Sequence, residues 1–221
     1  TSSISWAKAN NVPYFILGGG SNILVSDKGF DGLIVRNQLT TYNLQLTTKT
    51  MEADAGLDLS RVVEIAVRHG LQGIEWASGI PGTFGGAVRG NAGAFGGEIK
   101  DILTSVRFID DKGEIKVISN KECNFSYRGS IFKQSPKYII LSATLQLERS
   151  NKEELAKKSQ DIISYRASRH PLEYGSCGSV FKAIDAYKIK LKNYDKYPRL
   201  RESVKQDPFP VIPTAVLIDE A

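Results

Sequence analysis

Arg128 and Ser179 are the two side chains best placed to do chemistry. In Tyr127-Arg128-Gly129-Ser130-Ile131-Phe132-Lys133 an arginine follows an aromatic residue at an expected strand end. Its rigid fork of donors suits a carboxylate or a phosphate. A surface arginine paired with some acid is the other reading of the same residues. In Gly175-Ser176-Cys177-Gly178-Ser179 the glycines let a loop expose Ser179. No G-x-S-x-G turn and no histidine base accompany it, so a hydrolase nucleophile is not supported. A proton-donating hydroxyl and a plain turn serine both remain open. His69 and His170 stand alone and read as ordinary surface or packing residues. Cys123 and Cys177 lie far apart with no CxxC partner, so no metal site is expected. A reducing cytoplasm fits such cysteine usage better than secretion.

Two glycine-rich stretches must position whatever these side chains act on. The longer is Gly79-Ile80-Pro81-Gly82-Thr83-Phe84-Gly85-Gly86-Ala87, running on through Gly90-Asn91-Ala92-Gly93-Ala94-Phe95-Gly96-Gly97. A flexible linker would be polar and rich in serine, whereas this one keeps Ile80, Phe84, Val88 and Phe95 among its glycines. Successive N–H groups in such a loop form an anion-binding concavity, and the apolar residues can cover a flat ring. The stretch reads as the wall of a large cofactor with phosphates and a planar ring, or else as a tight buried connection. The shorter, Gly18-Gly19-Gly20-Ser21-Asn22, follows the apolar run Tyr14-Phe15-Ile16-Leu17 and precedes Ile23-Leu24-Val25. It is expected to be a strand–turn–strand unit, a phosphate-facing turn or a plain hairpin. It is neither a P-loop nor a G-x-G-x-x-G turn.

Around these loops the pattern is mixed. Thr41 to Ala55 alternates as strands do, and Leu59, Val62, Val63 and Ala66 share one helical face behind Asp58. Val106–Ile109 and Ile115–Ile118 flank a turn at Asp111-Lys112-Gly113 and form a hairpin, and Tyr138 to Leu147 is a long strand. Asn151 with Glu154 starts a helix carrying Leu155, Ser159, Ile162, Ile163 and Arg166. Strands and helices do not alternate as βαβ units, which predicts an α+β fold. The basic run Tyr187 to Lys205 interleaves tyrosines, but Lys188-Ile189-Lys190-Leu191-Lys192 alternates like an edge strand, so nucleic acid is not expected as a partner. At 221 residues, 41% hydrophobic and 24% charged, the composition is globular. No apolar run reaches the roughly 18 residues of a membrane span. The chain begins at Thr1 inside an expected helix and stops after the apolar segment Val216-Leu217-Ile218, so it is expected to be a fragment. Its net charge of +5 and pI of 9.1 therefore carry little weight.

Taken in order, Leu17-Gly18-Gly19-Gly20-Ser21-Asn22-Ile23-Leu24-Val25, Ser78–Ala87, Gly90–Glu98, Tyr127–Lys133 and Gly178-Ser179-Val180-Phe181-Lys182 resemble the UDP-N-acetylenolpyruvoylglucosamine reductase family over nearly the whole chain. The glycine loops alone resemble the wider flavin fold of the vanillyl-alcohol-oxidase (PCMH) type. The Tyr-Arg and Gly-Ser-Val-Phe-Lys segments narrow the resemblance to the reductase, and the short path from Leu147 to Ser179 to the subtype without an extra substrate-capping loop.

The resemblance implies non-covalent FAD between two α+β subdomains, NADPH as reductant, and a third domain closing over a UDP-sugar. Its implied cofactor contacts are Gly18, Gly19, Gly20, Ser21, Asn22, Gly79, Ile80, Pro81, Gly82, Thr83, Gly86, Asn91, Ala92, Gly93 and Ile140. Arg128 would hold the substrate carboxylate and Ser179 would donate a proton, with Tyr127, Arg166 and Lys182 contacting substrate. The implied division is 1–36 and 37–148 for the two FAD-binding subdomains and 149–221 for a partial substrate domain, in a cytoplasmic protein that is expected to be a monomer. Where the family has Asn-Pro after Phe-Lys, the Asn contacting substrate, this chain has Ala183-Ile184. The family's catalytic glutamate would fall beyond Ala221. The competing expectations are a flavin-dependent oxidase on the same fold and an inactive flavin- or nucleotide-binding module.

Overall fold

Leu59, Val62, Val63 and Ala66 recur at helical spacing, and the helix they predict, α2 (Leu59–Arg68), buries that stripe against an antiparallel sheet. The computed structural model describes residues 2–170, 173–186, 197–205 and 210–219. They fall into two units, Thr1–Ser176 and Cys177–Ala221.

The first unit opens with α1 (Ser2–Ala9). Two short strands follow, β1 (Tyr14–Leu17) and β2 (Leu33–Arg36), paired in parallel with Tyr14 opposite Leu33. The second strand expected at Ile23–Val25 does not form, and with it goes the plain-hairpin reading of the Gly18–Asn22 turn. Leu24 is 88% exposed, and no strand covers these residues. β1 pairs instead with a parallel partner, and the chain between the two strands, Ile23–Val25 included, serves as the crossover that such pairing requires.

The main sheet is built from β3 (Tyr42–Gln45), β4 (Thr50–Asp54), β5 (Leu103–Ile109), β6 (Ile115–Ser119) and β7 (Ile139–Gln146). Its order is β3-β4-β7-β5-β6, antiparallel throughout. Met51 and Ala53 lie opposite Leu145 and Ala143, and Ala143 lies opposite Val106, so one face is apolar. Glu52, Ser142 and Arg107 occupy the other face, where Arg107 Nε donates to Ser142 Oγ at 3.2 Å and Ser142 Oγ donates to Glu52 at 2.8 Å. Such a two-faced sheet covers its apolar side with helices. The cover comes from α2, from α3 (Phe84–Gly90) and from Phe132 of the short α5 (Ile131–Gln134), which meets Phe108 edge-on with ring centroids 5.2 Å apart. Between α3 and β5 lies the one-turn α4 (Ile99–Ile102).

The helix read from Asn151 is α6 (Lys152–Arg169), and Asn151 Oδ1 caps it by accepting from Glu154 N at 3.0 Å. It packs on α2 and on the 3-10 turn Glu75–Ala77.

In the second unit Ile184–Asp185 pairs antiparallel with Val211–Ile212, and α7 (Pro198–Glu202) and α8 (Thr214–Asp219) complete what is described. The edge strand expected at Lys188–Lys192 lies outside the described residues. Among the described residues no helix is long and apolar enough to cross a membrane.

Candidate functional site

The two glycine-rich turns meet. Ser21 Oγ donates to the Pro81 carbonyl at 3.1 Å. A Cβ on Gly19 would lie 2.9 Å from Gly82 Cα, and one on Gly18 would lie 2.7 Å from Thr83 Oγ1. Gly82 itself has φ of +106°, where a side chain is strained and a Cβ would press on Ser21 Oγ at 2.6 Å. A side chain at any of these positions would drive into the facing turn, at Gly19 into its backbone. None of the hydrogen bonds among the described residues uses the N–H groups of Gly18, Gly19, Gly20, Ser21 or Asn22, nor those of Gly82 or Thr83. Gly20 has open space around it. Successive amides left unused beside open space are the raw material of an anion cradle.

Thr83 also starts α3, its hydroxyl accepting from Gly86 N at 3.4 Å. The helix ends at Asn91, fully buried with φ of +43°. Ala92 N–H closes this end on the Ala87 carbonyl at 2.9 Å. Ile80 and Ala92 are half-buried against the core. Ile140 lies in β7, 8% exposed, and its carbonyl accepts from Asn37 Nδ2 at 3.4 Å.

Arg128 sits on a two-residue turn whose flanks, Ser126 and Gly129, exchange backbone hydrogen bonds at 3.0 Å. Its φ of +55° is a strained conformation for a long side chain. The guanidinium donates through Nη2 to the Gly93 carbonyl at 2.6 Å and through Nη1 to the Asn91 carbonyl at 3.4 Å. It also lies over the Tyr127 ring at 5.1 Å. Nη1 is 3.7 Å from the Glu98 carboxylate, which is 5% exposed. The Glu98 hydrogen bond holds the Lys100 ammonium above its usual range. Arg128 is thus fixed against the longer glycine-rich stretch, and it also has an acid, Glu98, within ion-pair reach.

Arg166 on α6 donates through Nε to the Gly79 carbonyl at 3.2 Å, and burial pulls its guanidinium below the ordinary value. Beneath it, Ser159 and Ser78 share a hydrogen bond at 2.7 Å, and Lys158 meets the buried Glu75 at 2.8 Å. Glu75 in turn accepts from Gly73 N–H at 2.6 Å. Glu75, Lys158 and Glu98 were not picked out from the sequence as functional. Glu98 alone left a signal there, as the single acid ending a long stretch almost without charge.

In the second unit Ser179 and Lys182 are exposed within an irregular segment, and Gly178 has φ of +77°. The Lys182 carbonyl accepts from Thr214 Oγ1 at 2.5 Å. Among the described residues no cluster of His, Cys, Asp or Glu could hold a metal ion.

The model of the FAD binding domain family matches residues 2–119. The cradle fits FAD, since its pyrophosphate needs many N–H donors and Gly20 leaves room for it. A UDP-N-acetylenolpyruvoylglucosamine reductase of Caldanaerobacter subterraneus subsp. tengcongensis is 43% identical over 184 residues, covering 83% of this chain and 60% of that protein. The chain thus spans about three fifths of the curated relatives it matches. The crystal structure of 6-hydroxy-D-nicotine oxidase from Arthrobacter nicotinovorans superimposes with a TM-score of 0.53 at 18% identity, over 66% of this chain and 33% of that one, a likeness of fold alone. The crystal structure of UDP-N-acetylenolpyruvylglucosamine reductase from Thermus caldophilus gives a TM-score of 0.69 and 30% identity, over 91% of this chain and 71% of that one. By that likeness, and by the flavin-domain match beneath the two glycine turns, the chain belongs to the UDP-N-acetylenolpyruvoylglucosamine reductase family and has its α+β FAD-binding fold.

Proposed function

We propose that this chain carries out, as part of a longer protein, the NADPH-dependent reduction of UDP-N-acetylglucosamine enolpyruvate to UDP-N-acetylmuramate, a step of peptidoglycan precursor synthesis in the cytoplasm. The observation that carries the reading is Arg128, pinned to the Asn91 and Gly93 carbonyls of the longer glycine-rich stretch. When bound, FAD supplies the two-electron relay between NADPH and substrate.

The chain's own residues then have three tasks. The N–H groups of Gly18 to Asn22, with Gly82 and Thr83, would hold the cofactor's pyrophosphate, and the apolar Ile80 would border its ring. Arg128 would bind the substrate carboxylate and offset the negative charge that gathers there as the terminal enol-ether carbon is reduced. Donors fixed beforehand do this without reorganising. Ser179 would give its hydroxyl proton to the neighbouring carbon, the proton being replaced from water. Tyr127, Arg166 and Lys182 would contact the sugar nucleotide. On this reading residues 1–36 and 37–148 are the two FAD-binding subdomains and 149–221 begins the substrate domain.

The test uses the full-length protein under anaerobic conditions. One equivalent of NADPH should bleach the flavin, and UDP-N-acetylglucosamine enolpyruvate should restore its oxidised bands. A flavin that stays bleached until air is admitted would instead indicate an oxidase. Ser179→Ala should leave bleaching by NADPH unchanged and slow the return by about 10²-fold or more, the scale of a lost proton donor. A variant that reoxidises at the wild-type rate removes Ser179 from the mechanism.

A further inference from the structure

Glu98 is 5% exposed, and its two oxygens live differently. Oε2 accepts from Lys100 Nζ at 2.5 Å and from Asn91 Nδ2 at 3.3 Å. Oε1 has no hydrogen-bond partner among the described residues, and the Arg128 Nη1 stands 3.7 Å from it, within ion-pair reach but beyond a hydrogen bond. The approach depends on Gly93. A Cβ there would fall 2.7 Å from Glu98 Cγ and 3.0 Å from Arg128 Nη1.

This arrangement carries two costs. A buried acceptor without a donor loses its hydration and gains little in return. A fixed negative charge beside the guanidinium also weakens the attraction Arg128 exerts on an anion. What it yields is geometry. Glu98, the Asn91 carbonyl and the Gly93 carbonyl hold one planar group from three sides, with Tyr127 against it. None of these contacts uses Nε.

We propose that Glu98 is a positioning residue for Arg128: it trades some affinity for the substrate carboxylate against a guanidinium held in one orientation before the ligand arrives. The proposal rests on the reading of Arg128 given above, and two measurements keep the failure of one separate from the failure of the other. Glu98→Gln keeps the size and one acceptor of the side chain and removes its charge.

The first measurement needs no substrate. In the full-length FAD-loaded protein, the Arg128 Nε–H resonance is assigned by its loss in Arg128→Lys, and its exchange with water is compared between wild type and Glu98→Gln. Exchange should quicken in the variant. The second compares the Kd for UDP-N-acetylglucosamine enolpyruvate on the oxidised protein with the single-turnover rate of reoxidation. Glu98→Gln should bind the substrate as tightly as wild type or tighter, yet turn over roughly 10- to 100-fold more slowly, the scale of a group misplaced by about 1 Å.

An unchanged Arg128 resonance overturns the proposal. So does binding that weakens in step with rate and melting temperature, because a merely structural role predicts that. A wild-type protein that fails to bind the enolpyruvyl sugar nucleotide sinks the functional reading, and the resonance measurement still decides the part about Glu98.

Discussion

Gly93 and Arg128 depend on each other, so each predicts the effect of changing the other. Gly93→Ala puts a Cβ 2.7 Å from Glu98 Cγ and 2.9 Å from the Gly97 carbonyl, and neither can retreat easily, since Glu98 is buried. Overpacking of this kind costs about 1–3 kcal/mol, and urea unfolding should show it. Gly90→Ala, in α3 with nothing within 4 Å, is the control and should gain up to about 1 kcal/mol from helix propensity. Equal effects at both positions would mean the corner is looser than its distances say. Thiol labelling gives a second prediction at this scale. Burial pushes the Cys123 thiol up to about 12, so peptide mapping of the native protein should find Cys123 unlabelled at pH 8 and labelled after denaturation. The sequence singles out Arg128 as an arginine after an aromatic residue at an expected strand end, whereas the fold places it in a two-residue turn. The carbonyls that hold it were not legible there, since the Asn91 turn and the Ser126–Gly129 turn meet only through the fold.

Helix α6 braces the Gly79 turn at three levels: Lys158 to Glu75, Ser159 to Ser78, and Arg166 to the Gly79 carbonyl. Burial alone would raise the Glu75 carboxyl, but the Lys158 hydrogen bond and the Gly73 N–H outweigh it and hold the group below its usual range. The native state therefore binds fewer protons than the unfolded chain, whose Glu titrates near about 4.3. The resulting stability is complete above that pH and drains away as pH falls through the lowered native value. Glu75→Gln should cost about 1–2 kcal/mol at pH 7, discounted because Lys158 is largely exposed. It should also flatten the fall in stability between pH 5 and pH 3. Denaturant melts across that range check both, and parallel curves would show that Glu75 takes up its proton at the same pH in the folded and unfolded states. The helices α2 and α6 were readable from an apolar stripe and from the Asn151–Glu154 cap, which are local signals. The segment Ile23–Val25 misled because the partner of β1 is a remote parallel strand, and short apolar runs do not name their partners. A buried carboxylate on a three-residue 3-10 turn has no sequence signature at all.

At the scale of the whole molecule, a cofactor that binds only the folded chain must raise its stability, by RT ln(1 + [L]/Kd), about 2.7 kcal/mol at a hundredfold excess over Kd. For a protein of this size that is roughly 5–10 °C in melting temperature. The rise should vanish when the glycine cradle is spoiled without disturbing the fold. Gly20 allows this, because it has φ of +75° and nothing within 4 Å of where a Cβ would sit. Gly20→Asp places a carboxylate among N–H groups waiting for phosphate, and aspartate tolerates a left-handed backbone better than most residues. Gly113 is the matched control, also open, with φ of +90° in the β5–β6 turn. Gly113→Asp should pay the same backbone cost and keep the whole FAD-dependent rise, whereas Gly20→Asp should lose most of it while its melt without FAD matches that of Gly113→Asp. A full FAD response in Gly20→Asp would show that the pyrophosphate does not lie on the Gly18–Asn22 turn. The N–H groups left unused there would then need another anion to explain them.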